Sequence, residues 1–442
     1  MSPAARTRPP MHARHPLETR VRQAMARWGP VRPGERVAAA VSGGPDSLCL
    51  LRLLAGMART EGFAVHAVHF DHGLRGEESA ADARFVQAIA DRWGVPVHVG
   101  RAAPGTVRAQ GRGLQAAARD ARYAFFDEIA DAIGARWVAT AHTADDQAET
   151  VMMRWVRGAG PAALSGIPPV RGRLIRPLLA CCRAEILAYL AGVDVAPRRD
   201  PSNDDHRFTR AKVRHTVLPA LRDLNPRVVD ALGRSAGLLA DDAAWLDLCA
   251  EEQLVVLIRD VEEGAIELER SGLGTLHPAL RRRVIRRALA RIHPEAGEIS
   301  FEPVEAIGEQ SVRRTSGRLA LGMGLTAEFA AERIRFASGD GLPRRPPEAV
   351  ALPPDGACSL KDWGLVATLR VASGAPVLSP PAPHVAVFDL DRLPGRLMVR
   401  GWRRGDAFYP EGMRGRQRLH DYWINARIPR WRRDRIPLLV AG

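Results

Sequence analysis

Six consecutive residues, Ser42-Gly43-Gly44-Pro45-Asp46-Ser47, bring two hydroxyls, two glycines and a carboxylate into one short stretch. Glycines let an anionic group approach the backbone closely, and N–H groups left free at a helix start donate to it. Ser42 and Ser47 add hydroxyl donors. Asp46 is the odd member, because a carboxylate repels phosphate unless a divalent cation lies between them. The set therefore suits cation-assisted chemistry on a polyphosphate. A plain glycine turn with a helix cap at Asp46 or Ser47 is the simpler alternative. The loop is not a Walker A motif, since no Gly-Lys-Ser/Thr closes it.

Elements of the right type flank the loop. Arg36-Val37-Ala38-Ala39-Ala40-Val41 is an apolar run with the length of a buried strand, and Leu48-Cys49-Leu50-Leu51-Arg52-Leu53-Leu54 has an apolar helical face. Further strands are predicted at 64–70, 95–99 and 137–141, and helices at 17–28, 78–93 and 114–133 and after 142. Strands alternating with helices of this length predict an α/β fold built on a doubly wound parallel sheet. Ligands in such sheets sit beyond the carboxyl ends of the strands, where the polar clusters at 42–47, 69–75 and 142–149 all fall. Beyond Pro201 the pattern becomes helical, at 213–224, 226–253 and 280–292. Residues 341–356 hold five prolines and read as a linker, followed by short strand-like pieces at 365–369 and 385–388.

The 442-residue chain has a net charge of +14, which points to a polyanionic partner, most simply nucleic acid. Between Arg396 and Arg435 twelve arginines face four acidic residues, more than half of that excess. Trp402, Phe408, Tyr409, Tyr422, Trp423 and Trp431 are interleaved with them, a composition suited to phosphate contacts and base stacking. For any one aromatic the core is the more ordinary place; for the patch as a whole the reading is RNA. Five scattered cysteines without a CxxC pair fit structural thiols in a reducing compartment. No apolar run approaches the length of a membrane span. Residues 1–20 read as a disordered basic leader.

In its strand–turn–helix setting, Ser42-Gly43-Gly44-Pro45-Asp46-Ser47 resembles the PP-loop of the ATP pyrophosphatase superfamily (adenine nucleotide alpha hydrolase-like), whose members cleave ATP to AMP and pyrophosphate and adenylate a substrate. Other pieces resemble one family within it, the bacterial tRNA(Ile)-lysidine synthases. They are His69-Phe70-Asp71-His72-Gly73-Leu74-Arg75, Ala116-Ala117-Ala118-Arg119 with Arg122-Tyr123, Ala139-Thr140-Ala141-His142 with Asp145-Asp146-Gln147-Ala148-Glu149-Thr150, Arg157-Gly158, Ile167-Pro168-Pro169, Arg176-Pro177-Leu178-Leu179 and Asp200-Pro201-Ser202-Asn203. Arg404-Gly405-Asp406 onward, through Ile428-Pro429-Arg430 to Ile436-Pro437-Leu438-Leu439, is similar to the family's C-terminal domain.

The resemblance implies an ATP-binding catalytic domain at 21–225, a mainly helical substrate-binding domain at 226–340 and a basic α+β tRNA-binding domain at 357–442, expected to be trimmed. It implies a cytoplasmic ligase that uses ATP and Mg²⁺, with an isoleucine tRNA bearing a CAU anticodon and free L-lysine as partners, no membrane, and a homodimer left open. Ser42, Gly43, Gly44, Pro45, Asp46 and Ser47 would hold the pyrophosphate end of ATP, His69 and Phe70 border the adenine, and His142 contact phosphate or cap its strand. Asp46 and Asp146 are the candidate Mg²⁺ carboxylates, a helix N-cap being the alternative for Asp146. Arg119 and Arg122, three apart on one helix face, suit anionic oxygens, or a surface ion pair with Asp120 or Asp127. Arg210 and Arg214 match positions near the active site, although Ala211 stands where the family usually has Asn. Asp145 or Glu149 would receive the lysine ammonium. Arg403, Arg404, Arg414, Arg416, Arg418 and Arg430 are the candidate tRNA contacts. The rivals are a tRNA thiolase of the same superfamily, for which Cys181-Cys182 is poor chelating geometry, and a non-catalytic tRNA-binding relative.

Overall fold

A computed structural model describes residues 15–71, 77–102, 114–193, 195, 197–198, 209–296, 299–313, 316–339, 348–374, 385–410 and 415–442. The motif residues His72, Gly73, Leu74, Arg75, Asp200, Pro201, Ser202 and Asn203, and Arg414, lie outside these. The chain divides into two compact units, Met1–Ala244 and Trp245–Gly442.

The first unit alternates helix and strand: α1 Pro16–Trp28, β1 Arg36–Ala40, α2 Pro45–Glu61, β2 Ala64–Asp71, α3 Glu77–Trp93, β3 Val97–Arg101, α4 Leu114–Ile133, β4 Ala135–Ala139 and α5 Ala144–Val156. Helix α1 starts at Pro16, so the last residues of the expected leader are helical rather than disordered. A short helix α6 (Pro161–Leu164) and the hairpin β5 (Val170–Arg171) and β6 (Leu174–Ile175) follow, with Gly172 at φ 57° in the turn. The sheet order is β3-β2-β1-β4-β6-β5, parallel throughout except for β5. Alternation along β1 sends Val37 and Ala39 to one core, with α1, α2, α3 and α7 (Arg183–Ala191), and Ala38 to another, under α4. The sheet is therefore covered on both faces. Because β1 runs on to β2 and β3 on one side while β4 lies on the other, the loops after β1 and β4 flank the topological switch point.

Residues 209–224 form one helical run: α8 Thr209–Lys212, a π-helical turn Val213–Val217, and α9 Leu218–Leu224. Val213 and Leu218 pack on Ala144, Ala148 and Met152, which fixes the run against α5. Helix α10 (Val228–Leu257) follows and contains the division between the units.

The second unit has the expected helix α12 Pro278–Ile292, two further helices, α11 Arg270–Thr275 and α13 Phe301–Arg313, and also a sheet that the helical pattern does not announce. Strands β7 (Ile258–Glu262), β8 (Ala265–Glu269), β9 (Gly317–Gly322), β10 (Leu325–Phe329) and β11 (Arg333–Ser338) form an antiparallel sheet in the order β7-β8-β11-β10-β9. Arg270, only 1% exposed, ties its parts together by donating to the carbonyls of Gln310, Ser311 and Ala330. Farther on come β12 (Val350–Ala351), the hairpin β13 (Gly356–Leu360) and β14 (Leu365–Leu369), β15 (Leu397–Arg400), β16 (Ala407–Phe408), β17 (Gln417–Arg418), α14 (Leu419–Asn425), α15 (Arg430–Arg433) and β18 (Leu438–Ala441). Val350 and Ala351, inside the stretch read as linker, pair with β15, which in turn pairs with β18. Residues 385–388 are not a strand: Val385, Val387 and Phe388 are about half exposed and join no ladder among the described residues.

Candidate active site

The turn from β1 into α2 is held from within. Ser47 Oγ donates to the Gly44 carbonyl (2.9 Å) and accepts from the Ser42 N–H (3.1 Å), and Ser42 Oγ lies 3.2 Å from Ser47 Oγ. Gly43 sits at φ 87°, a left-handed conformation in which a side chain would be strained. Helix α2 has Gly44 as its N-cap, with no side-chain cap and with Pro45 in its first turn, so the N–H groups that follow stay open to a ligand.

Asp46 lies in that first turn. Burial pushes its carboxyl up to about 6, against the opposing pull of Arg183 and Arg214 and with Asp146 and Asp145 adding repulsion. Its Oδ1 is buried and has no hydrogen-bond partner. A buried carboxylate oxygen that no donor satisfies is chemistry suited to a cation.

Asp146 is differently placed. Thr143, not Asp146, is the N-cap of α5, and Asp146 is its capping-box partner: Thr143 N–H and Oγ donate to Asp146 Oδ2 (2.9 and 3.1 Å), while Asp146 N–H donates to Thr143 Oγ1 (3.3 Å). Asp146 Oδ1 accepts from Arg210 Nη2 (2.7 Å). Arg210 Nε donates to Glu149 (2.7 Å), and Arg214 Nε and Nη2 reach the same carboxylate at 2.6 and 3.0 Å. Asp145 accepts from the Arg183 N–H (2.7 Å) and from Arg222 Nη2 (2.8 Å). Both carboxylates considered for the lysine ammonium, Asp145 and Glu149, are thus engaged by arginines. Four residues on, along one helical run, Arg210 and Arg214 present the same face to Glu149.

His142 contacts Thr140 Oγ1 through Nδ1 (3.0 Å), and burial lowers it to about 4, so the ring is neutral at physiological pH. His69 is only 5% exposed; its Nδ1 donates to the Val41 carbonyl (2.8 Å), bracing the strand end under the loop rather than facing a ligand freely. Phe70 packs on Phe125 with ring centroids 5.4 Å apart. Arg119 donates from Nη2 to the Tyr123 hydroxyl (3.1 Å) and is exposed. Neither Arg119 nor Arg122 forms the alternative surface ion pair among the described residues, and Asp127 pairs with Arg173 instead.

The C-terminal arginines sort into two sets. Arg400 is held by Asp406, Arg427 by Glu332, Arg432 by Asp260 and Glu267, and Arg435 by Glu262. Arg403, Arg404, Arg416, Arg418 and Arg430 are exposed, and their side chains form no ion pair among the described residues. Of the interleaved aromatics Trp423 is core at 2% exposed, whereas Tyr409 is 71% exposed.

All five cysteines are free thiols, and burial pushes Cys181 up to about 11 and Cys49 far above its ordinary value. Among the described residues no helix is long and apolar enough to cross a membrane.

Three family models match the chain: a PP-loop domain over residues 14–221, a TilS substrate binding domain over 268–328 and a TilS substrate C-terminal domain over 397–442. The tRNA(Ile)-lysidine synthase of Symbiobacterium thermophilum is 38% identical, with 97% of this chain and 92% of that protein aligned. Proteins of the same name from Geobacter sulfurreducens (39%; 96% and 90%) and Dehalococcoides mccartyi (32%; 96% and 93%) are also similar over nearly their whole lengths.

Proposed function

The chain belongs to the tRNA(Ile)-lysidine synthase family, and from that premise we infer how its own residues divide the reaction. The enzyme is an ATP-dependent ligase acting on the wobble cytidine of the CAU anticodon of an isoleucine tRNA. The cytosine carbon-2 oxygen is adenylated with release of pyrophosphate, and the amine of free lysine then displaces AMP to leave lysidine. The observation that carries the division of roles is the open first turn of α2 beside the unpartnered carboxylate oxygen of Asp46.

Ser42, Gly43, Gly44 and Ser47 bind the pyrophosphate end of ATP through backbone and hydroxyl donors. Asp46 would hold Mg²⁺, which when bound neutralises charge on the pyrophosphate leaving group. Asp146 is the second carboxylate, and it becomes available when Arg210, 44% exposed, releases its Oδ1. The guanidinium that bridges Asp146 and Glu149 marks a pocket built for a cation, which the lysine ammonium enters by displacing Arg210. His142, neutral between Asp146 and the arginines, contacts the reacting groups by hydrogen bonding without adding charge. His69 supports the loop from below, and Phe70 borders the adenine side. Five free thiols fit a reducing compartment and so support a cytoplasmic enzyme.

The test is formation of AMP and pyrophosphate from ATP. It should need tRNA with cytidine at the wobble position, and AMP release should accelerate when lysine is added. AMP release indifferent to tRNA and lysine would overturn the reading. The exposed arginines are assigned to the tRNA backbone. Arg403→Ala with Arg404→Ala is expected to raise the KM for tRNA about 10-fold and to lower the salt dependence of binding by about two phosphate contacts. The rate at saturating tRNA should stay close to that of the unaltered enzyme, as steady-state kinetics at two salt concentrations would show.

A further inference from the structure

Arg176 follows β6 and is 5% exposed. Its Nη1 donates to the Pro168 carbonyl (2.5 Å), it lies within hydrogen-bonding reach of the Tyr123 hydroxyl, and its Nε is buried without a partner. Tyr123, on α4, gathers two more guanidinium groups. Arg119 donates to the same hydroxyl with its guanidinium 4.8 Å from the ring centroid, and the Arg122 guanidinium stands 5.7 Å from that centroid. The Nε of Arg122 is also buried and unpartnered. Among the described residues none of the three arginines forms an ion pair.

Burial lowers the pKa values of Arg122 and Arg176, the sign of cations that the protein desolvates without supplying a counter-charge. For Arg122, cation–π contact with the Tyr123 ring offsets part of that cost. An external anion would offset the rest, and the Tyr123 hydroxyl, which accepts from Arg119, keeps its own proton to donate to one.

The surroundings separate this cluster from the pyrophosphate loop. The charged groups acting most on Asp46 are Arg183, Asp146, Arg214 and Asp145, whereas those acting most on His142 are Asp146, Arg176, Arg119 and Arg210, with only Asp146 in common. The cluster thus lies on the His142 side of the crevice. We propose that Arg119, Arg122 and Arg176, gathered round Tyr123, form a second phosphate site that holds a phosphodiester-type anion while the target base reacts. This deepens the ligase reading and rests on it. The anion has two possible sources with one chemistry: the RNA backbone beside the target cytidine, or the α-phosphate of the nucleotide. Tyr123 is a positioning residue, because it acts through the guanidinium groups it holds.

The full-length chain carrying Arg119→Gln, Tyr123→Phe or Arg176→Lys tests this, with tRNA affinity measured across a salt series and the KM for ATP measured by ATP–pyrophosphate exchange. If RNA is the source, each variant weakens tRNA binding about 5- to 20-fold, and Arg119→Gln lowers the salt slope by about one. If the nucleotide is the source, the KM for ATP rises by a similar factor and the salt slope is unchanged. Arg176→Lys keeps the charge but not the planar fork, so it should fall between the unaltered protein and Arg119→Gln. The proposal is overturned if Arg119→Gln and Tyr123→Phe leave both constants within about twofold, or if losses simply follow a lowered melting temperature. Lysine transfer by the unaltered protein, run alongside, separates failure of this site from failure of the ligase reading.

Discussion

Asp46→Asn should lower lysine transfer to tRNA by about 10³-fold or more while making the protein more stable at neutral pH. The loss follows from removing the carboxylate oxygen that no protein donor satisfies, and with it the cation that offsets pyrophosphate charge. The gain follows from linkage. The folded state raises this carboxyl from an ordinary 3.8 to about 6, so the folded state holds the proton more tightly than the unfolded chain does. The stabilising effect of that proton is complete below about pH 4 and fades as pH rises through about 6. Above that the buried charge costs about 1–3 kcal/mol, which the neutral asparagine avoids. Thermal unfolding at pH 4 and pH 8, without nucleotide or cation, should show the two proteins close together in acid and the variant higher at pH 8. A variant less stable than the parent at pH 8 would mean that Asp46 is structurally satisfied and not reserved for a ligand.

Glu149→Ala should be among the most destabilising substitutions in the first unit, costing about 3–5 kcal/mol by chemical denaturation. Glu149 is 1% exposed and receives three donors from two arginines, so its loss takes from the half-buried Arg214 its two hydrogen bonds and leaves Arg210 held by Asp146 alone. Glu149→Gln, which keeps the volume but not the charge, should cost less and still abolish lysine transfer. Arg222→Ala removes the 44%-exposed partner of Asp145 and should cost under about 1 kcal/mol, as a solvent-screened pair does. If the two alanine variants unfold at the same denaturant concentration, the arginine clamp on Glu149 contributes little.

Why these features differ in legibility is physical. The loop at 42–47 and the strands around it are local: a buried strand, a glycine turn and an apolar helix face each occupy a few consecutive residues, and all four main parallel strands show in the sequence. The hairpin at Val170–Arg171 and Leu174–Ile175 does not, because two-residue strands are too short to display a period. Strand β8, Ala265–Glu269, alternates as a strand should, yet its Ala and Glu residues favour helix, and pairing with β7 beside it and with β11 some seventy residues later decides the outcome. Residues 385–388 show the reverse, an alternating apolar pattern with no partner strand. The clamp on Glu149 joins residues 61 and 65 apart, a contact that no local pattern reports. The same holds for Arg176 and Tyr123. Their types are visible in the sequence, but their convergence depends on β6 lying beside β4.

The most direct measurement of the central claim is transfer of radiolabelled lysine by the purified protein, with ATP and Mg²⁺, to an isoleucine tRNA transcript carrying a CAU anticodon. Label should enter the RNA in proportion to AMP formed, and it should vanish when the wobble cytidine is replaced by uridine or when Asp46→Asn is used. Pyrophosphate release that depends on tRNA, with no lysine entering the RNA, would contradict the account and point to another nucleophile at the same crevice.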